Sequence, residues 1–151
     1  MAASVRVHLE QGYKTVIEAR GLTVIADEPV EDGGTNQGFK PSELLVSALA
    51  ACAAITCKMY AARKGWNLER IEIEAGYERL KAVDYPTYQG DSDIVHEFQQ
   101  RIRFIGDLTD DQRTRLLEIA GKCPVHRVLA SPSFLVEELM TDEEMPPLPN
   151  I

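Results

Sequence analysis

The stretch GGTNQGFKPSELLVSALAACAAITCKMYAARKGW, residues 33–66, decides the fold. Its glycine-rich start predicts a loop, and Pro41 suits the first position of a helix, where its missing N–H is not needed. The run 44–55 is apolar on nearly all sides, and Gly65 follows as a stop signal. We therefore predict one long helix from Pro41 to about Lys64, central to the molecule and buried on more than one side.

Strand-like segments flank this helix on both sides. Alternation of apolar and polar residues predicts short strands before it and longer strands after it. A capping box at 109–112 opens a second helix, and a short third helix starts at Pro124. The result is an α+β fold in one domain over residues 1–140, with an acidic, proline-rich tail over 141–151. The predicted strands, about six, lie near 5–9, 13–19, 22–27, 71–77, 95–105 and 134–139.

Composition excludes several classes of function. The formal net charge is −8 and no Lys/Arg stripe is present, so nucleic acid is not an expected partner. The first residues alternate and do not resemble a secretion signal. The apolar run 44–55 is shorter than the roughly 20 residues that cross a bilayer. We therefore expect a cytoplasmic protein with no membrane partner.

The three cysteines are the main chemical clue. Cys123 directly precedes a helix, whose free N–H groups and dipole stabilise a thiolate, so local sequence favours Cys123 as the activated thiol. Cys52 and Cys57 lie in the central helix and project about 140° apart, so a bridge between them is not expected. Cys57 is interpreted as a packing residue. In a reducing compartment, the cysteines are either inert buried thiols or a redox pair.

Other polar residues add weaker candidates. Three histidines, His8, His96 and His126, are scattered and no CxxC is present, so we expect neither a metal nor a cofactor. His8 falls on the polar side of its strand and is expected to be exposed. His126 and Arg127 either tune Cys123 or simply face solvent.

Two segments, 33–66 and GDLTDDQRTRLLEIAGKCPVHRVL at 106–129, resemble the OsmC/Ohr family of osmotically induced and organic-hydroperoxide-resistance proteins. The resemblance covers most of the chain and rests on two motifs. These are the G-x-N-x-G-x-x-P-x-E-L-L helix start with a cysteine after it, and the CPVHR segment. It implies an intertwined homodimer whose long central helices are surrounded by antiparallel sheets. A homodimer also agrees with the size of the chain, which is too small to cover both sides of its central helix.

The resemblance further implies thiol peroxidase chemistry. Cys52 would attack an organic hydroperoxide or hydrogen peroxide and become a sulfenic acid. Cys123 would resolve this acid as a disulfide, which a dithiol reductant reopens. This assignment replaces Cys123 by Cys52 as the attacking thiol.

Two family residues are missing from the matching positions. In the peroxidase branches, an arginine in the first hairpin turn and a glutamate directly after the helix-start proline activate the cysteine. Here the turn at 10–14 contains no arginine, and Ser42 follows the proline with Glu43 displaced by one position. Alone, Glu43 and Arg20 are ordinary helix-start and turn residues. The candidates to replace the arginine are Arg20, Lys14 and Arg127.

Three functions therefore stay open. The first is a thiol-dependent peroxidase acting on organic hydroperoxides through Cys52 and Cys123. The second is a non-enzymatic dimer that binds an apolar small molecule at its interface. The third is a redox sensor, which would form the disulfide without sustained turnover.

Overall fold

The computed structural model describes residues 4–141, which form five strands and three α-helices. This mixed content confirms the α+β class. In chain order the elements are β1 (Arg6–Leu9), β2 (Thr15–Ala19), β3 (Leu22–Ala26), α1 (Pro41–Lys64), β4 (Asn67–Lys81), β5 (Ile94–Asp107), α2 (Asp110–Ala120) and α3 (Pro124–Ala130).

Helix α1 begins and ends where its sequence predicts. Pro41 is its first residue, and the Glu43 carboxylate accepts a hydrogen bond from the Lys40 N–H at 2.8 Å. Gly65 ends the helix with φ 67°, a left-handed conformation that glycine adopts without steric cost. Its N–H bonds the carbonyl groups of the last turn, so the helix end has hydrogen-bond partners.

One stripe of α1 forms the core, and the opposite face is open. Leu49, Ala53, Cys57 and Ala61, spaced four residues apart, are buried against β4 and α2. Ile55, on the opposite face, is 61% exposed. The prediction of burial on more than one side is therefore wrong for the single chain.

The length and apolar composition of α1 would also suit a membrane span, a test that the central helix of a soluble fold passes equally. The helix has 24 residues, so the argument that its apolar run is too short does not exclude a span. In the single chain, 22% of its most apolar window is buried, on the stripe that packs against β4 and α2.

Strands β4 and β5 form a long antiparallel ribbon under α1. Ile71 pairs with Phe104 and Ile73 with Ile102, and these side chains pack against the core. The intervening positions carry charge, as in the ion pair of Glu72 with Arg103 on the outer face. Strand alternation thus places one face on the helix and the other in solvent.

The N-terminal sheet has the predicted order β1-β2-β3. Its more covered face, however, is not the one that the sequence predicts. Val7 pairs with Ile17, which pairs with Val24, so these side chains share one face. Val7 is 52% exposed, whereas His8 is half-buried and its Nδ1 is buried without a hydrogen-bond partner. The expectation of an exposed His8 is therefore wrong, because His8 shares its face of the sheet with Val16 and Ile25, and this face is more covered than the one that carries Val7.

A buried carboxylate organises the loop between β3 and α1. Asp27 accepts hydrogen bonds from the N–H groups of Glu28, Thr35 and Gln37 and from the Thr35 hydroxyl. These bonds hold the pKa of Asp27 at about 2, with the Thr35 hydroxyl contributing most. Asp27 therefore ties the start of the loop to residues 35–37, beside backbone bonds such as that from the Asp27 N–H to the Phe39 carbonyl oxygen.

The chain after α3 differs from its prediction. The capping box of α2 is confirmed, with Thr109 and Gln112 exchanging side-chain bonds to each other's N–H groups. Residues 131–141, however, form no strand, and Phe134 is 94% exposed. The predicted strand at 134–139 is wrong for the single chain, because alternation alone does not form a strand without a partner edge. The predicted tail lies outside the described residues except for Thr141.

Candidate functional site

The fold brings Cys52 and Cys123 together. Cys52 lies in the middle of α1, and Cys123 is the residue before α3, which packs against α1. Cys52 packs against the core cluster that contains Cys123 and lies close enough to raise the pKa of the Cys123 thiol, although 71 positions separate the two residues in the sequence. The two sulfurs that the sequence singles out therefore meet in one place.

The two thiols differ in their access to solvent. Cys52 is half-buried, at the edge of the buried stripe of α1, whereas Cys123 is fully buried. A molecule arriving from solvent therefore reaches the Cys52 sulfur first.

Burial raises the pKa of Cys123, the backbone N–H groups of His126 and Val125 lower it, and the nearby Cys52 thiol raises it further. The net direction is upward. The local expectation that a helix start activates Cys123 is therefore wrong, because desolvation outweighs the backbone donors. A neutral Cys123 thiol suits a group that acts after another thiol has reacted.

The His126 side chain is not what tunes Cys123. Its backbone N–H donates to the Cys123 sulfur at 3.4 Å, and the Arg127 N–H donates to the Cys123 carbonyl oxygen at 3.1 Å. The spacing of CPVHR therefore matters through main-chain geometry. Sequence reasoning expected side chains here and missed the amides.

Cys57 is the third thiol of the cluster. It is 1% exposed and donates a hydrogen bond to the Leu116 carbonyl oxygen at 3.3 Å. Burial, together with the nearby Cys123, raises the pKa of Cys57 to about 11. A thiol this weakly acidic is almost entirely protonated at neutral pH, in agreement with its interpretation as a packing residue.

The auxiliary candidates do not converge on Cys52. Glu43 bonds the backbone at the start of α1, and Arg20 lies in the β2–β3 turn with φ 53°. Arg127 is exposed, and Lys14 donates to the Gln37 side chain. Within residues 4–141, no hydrogen bond or ion pair joins any of these side chains to Cys52. No group of three or more metal-ligating side chains occurs in the same range.

A cavity of about 370 Å³ lies between the first turns of α1 and the middle of β4. Phe39, Val46 and Tyr77 supply apolar surface, while Ser42 and Glu43 supply polar groups. Ser42 stands where the resemblance expects a glutamate. The arrangement can hold a small molecule with an apolar body.

Comparison with known proteins identifies the family. The sequence model described as OsmC-like protein matches residues 34–137. The chain belongs to the OsmC family, as its two motifs predict. A comparison with curated proteins gives no significant match.

Solved structures of related proteins share the fold. An OsmC-like protein from Mycoplasma pneumoniae is 18% identical, with a TM-score of 0.69 over 85% of this chain and 86% of that chain. The organic hydroperoxide resistance protein OsmC from Legionella pneumophila is 17% identical, with a TM-score of 0.60 over 83% and 88%. The organic hydroperoxide resistance protein OhrB of Bacillus subtilis is 20% identical, with a TM-score of 0.58 over 85% and 91%. At these identities the likeness establishes the fold alone.

Proposed function

We propose that this protein is a cytoplasmic, thiol-dependent peroxidase that reduces organic hydroperoxides. The observation that carries the proposal is the proximity of the half-buried Cys52 to the buried Cys123, since Cys52 packs against the core cluster that contains Cys123. Membership of a family that includes organic hydroperoxide resistance proteins supports a role in peroxide stress.

The reaction has two thiol steps. The Cys52 thiolate attacks the terminal oxygen of ROOH, the O–O bond breaks, and ROH leaves after taking up one proton, with Cys52 left as a sulfenic acid. The Cys123 thiol then attacks the Cys52 sulfur, which releases water and forms the disulfide. An external dithiol reduces this disulfide by two exchange steps and returns both thiols.

The surroundings of Cys52 favour an alkyl or fatty-acid hydroperoxide over hydrogen peroxide. Ala51 and Ile55, beside Cys52 on α1, are exposed in the single chain. Each Å² of hydrocarbon buried against such surface contributes about 25 cal/mol, which hydrogen peroxide does not gain.

Turnover with cumene hydroperoxide and a dithiol reductant tests the proposal. We expect activity in the wild type and none in Cys52→Ser, with Cys57→Ala as the matched thiol control that retains it. Turnover that is unchanged in Cys52→Ser would refute the peroxidase mechanism.

We propose that the functional unit is a homodimer in which the central helices pack together. In the single chain, three apolar surfaces lack cover: the Ile55 side of α1, the Val7 side of the N-terminal sheet, and the extended segment 134–140. Light scattering after size-exclusion chromatography should give twice the chain mass. A monomer at micromolar concentration would contradict this assembly.

The rival function is a non-enzymatic binding module. Its support is the cavity lined by Phe39 and Tyr77, together with a Cys52 that has no bonded cation within residues 4–141. Mass spectrometry after one equivalent of peroxide separates the two. A Cys52–Cys123 disulfide supports the enzyme, unreacted thiols support the binding module, and a disulfide without turnover supports a redox sensor.

A further inference from the structure

The first turn of α3 depends on one residue for its hydrogen bonds. A helix leaves its first N–H groups without intrahelical partners, and these need acceptors from outside. Pro124 has no N–H, and the His126 N–H donates to the Cys123 sulfur at 3.4 Å. The Arg127 N–H bonds the Cys123 carbonyl oxygen. Cys123 therefore accepts two of the N–H groups of this turn, one on its sulfur and one on its carbonyl oxygen.

Helix α3 has little else to hold it. It is 7 residues long and contains no fully buried residue, and only Val125 and Leu129 pack partly against the core. Isolated helices shorter than about 12–15 residues are marginal in water, so a short helix depends on its cap and its packing. Residues 131–141 follow it with no helix or strand.

We propose that α3 is a redox-dependent element, uncapped when Cys123 forms a disulfide with Cys52. The inference rests on the proposed function, which supplies the disulfide. A disulfide places its sulfurs about 2.05 Å apart, much closer than two unbonded thiols, so the Cys123 side chain must turn toward Cys52 on α1. The sulfur then moves away from the His126 N–H that it accepts in the reduced protein. Oxidation by ROOH removes two electrons and two protons from the thiols, yielding ROH and water.

Opening of α3 extends to the segment beyond it. Residues 131–140 have neither helix nor strand of their own, so the start of this segment follows the position of α3. The oxidised and reduced proteins should therefore differ at the C-terminal side of the site, where a dithiol reductant or another partner can distinguish the two states.

Amide hydrogen exchange measured by mass spectrometry tests whether oxidation opens α3. We expect the amides of 125–131 to exchange about fivefold faster in the oxidised protein, the effect of losing one helix cap. Diamide, used beside cumene hydroperoxide, forms the disulfide without relying on peroxidase activity. Cys52→Ser is the matched control: it keeps the Cys123 cap, cannot form the disulfide, and should show no change with either oxidant.

Two further variants test the cap without oxidation. Reduced Cys123→Ala should reproduce the faster exchange of 125–131, and Cys123→Ser, whose hydroxyl is a good cap, should not. Unchanged exchange in Cys123→Ala would overturn the redox switch but leave the proposed function standing. The same holds if peptide mapping verifies the disulfide and the exchange of 125–131 is unchanged. Failure of both oxidants to form the Cys52–Cys123 disulfide overturns the proposed function, and the switch with it.

Discussion

The Cys57 thiol donates a hydrogen bond to the Leu116 carbonyl oxygen at 3.3 Å, and this contact joins α1 to α2. Both residues are almost completely buried. We expect Cys57→Ala to lower the free energy of unfolding by about 1–2 kcal/mol, because the variant loses a buried sulfur and its hydrogen bond. Urea denaturation measures the change. Arg63→Ala, an exposed position on the same helix, should shift stability by less than about 0.5 kcal/mol.

Alkaline pH should weaken the contribution of Cys57. Its folded pKa is raised to about 11, while an unfolded thiol titrates near pH 8.5. The contribution is therefore complete below about pH 8.5 and is lost as the pH rises toward 11, by roughly 1.4 kcal/mol per unit. Because this loss exceeds the gap of about 1–2 kcal/mol after about one to one and a half pH units, wild type and Cys57→Ala should become equally stable near about pH 10, and the order should reverse above it. A gap that stays constant to pH 11 would show that Cys57 ionises as easily in the folded state.

Acid should weaken the contribution of Asp27. Its folded pKa is lowered to about 2, so the stability that it contributes is present above its unfolded pKa of about 3.9 and is lost as the pH falls toward 2. At pH 7, Asp27→Asn should lower the melting temperature by several degrees. The NH₂ group of the asparagine would face backbone N–H groups that bond the carboxylate in the wild type, and two donors cannot bond each other. This difference should shrink between pH 4 and pH 2. Asp32→Asn, which removes only an exposed ion pair with Lys40, should change little.

The glycines of the helix-start motif should resist substitution. A Cβ at Gly38 would lie 2.5 Å from the Ile25 carbonyl oxygen, and one at Gly34 would lie 1.9 Å from that of Glu28. Either alanine variant should displace the loop and lower the melting temperature. Gly76→Ala is the matched control, because a Cβ there meets nothing within 4 Å. Equal melting temperatures for Gly38→Ala and Gly76→Ala would contradict the close approach.

Removing the resolving thiol should stop the reaction at its intermediate. In Cys123→Ser, the Cys52 sulfenic acid has no neighbouring thiol, so dimedone should label Cys52 after one equivalent of cumene hydroperoxide. The wild type should be labelled far less, because Cys123 removes the sulfenic acid first. Peptide mass spectrometry measures both. Equal labelling of the two proteins would exclude Cys123 as the resolving residue.

The sequence predicts the elements of the fold better than the faces that they bury. Pro41, Gly65 and the capping box at Thr109 act locally, so both long helices begin as predicted. Burial at His8 depends on which face of a sheet finds a neighbour, and alternation does not specify that. The strand predicted at 134–139 fails for the same reason, since pairing needs an edge from elsewhere.

The same distinction applies to the candidate site: the sequence predicts its cysteines but not their surroundings. The CPVHR motif and the helix-start motif select Cys52 and Cys123, and the fold brings them close together. The pKa direction at Cys123 is not predictable from a helix start, because the burial that raises it comes from packing distant in sequence. Asp27 carries no signal at all, since its partners are mostly main-chain groups of a loop.

Unequal burial of the three sulfurs also gives the protein a built-in selectivity toward covalent reagents. Cys52 is half-buried, whereas Cys57 and Cys123 are buried, so a maleimide should react with Cys52 first. Labelling should therefore proceed with a stoichiometry of one until the chain unfolds, and then rise to three. The mean number of adducts per molecule therefore measures the fraction of folded protein. One electrophile that modifies Cys52 should also be enough to inhibit the proposed peroxidase reaction.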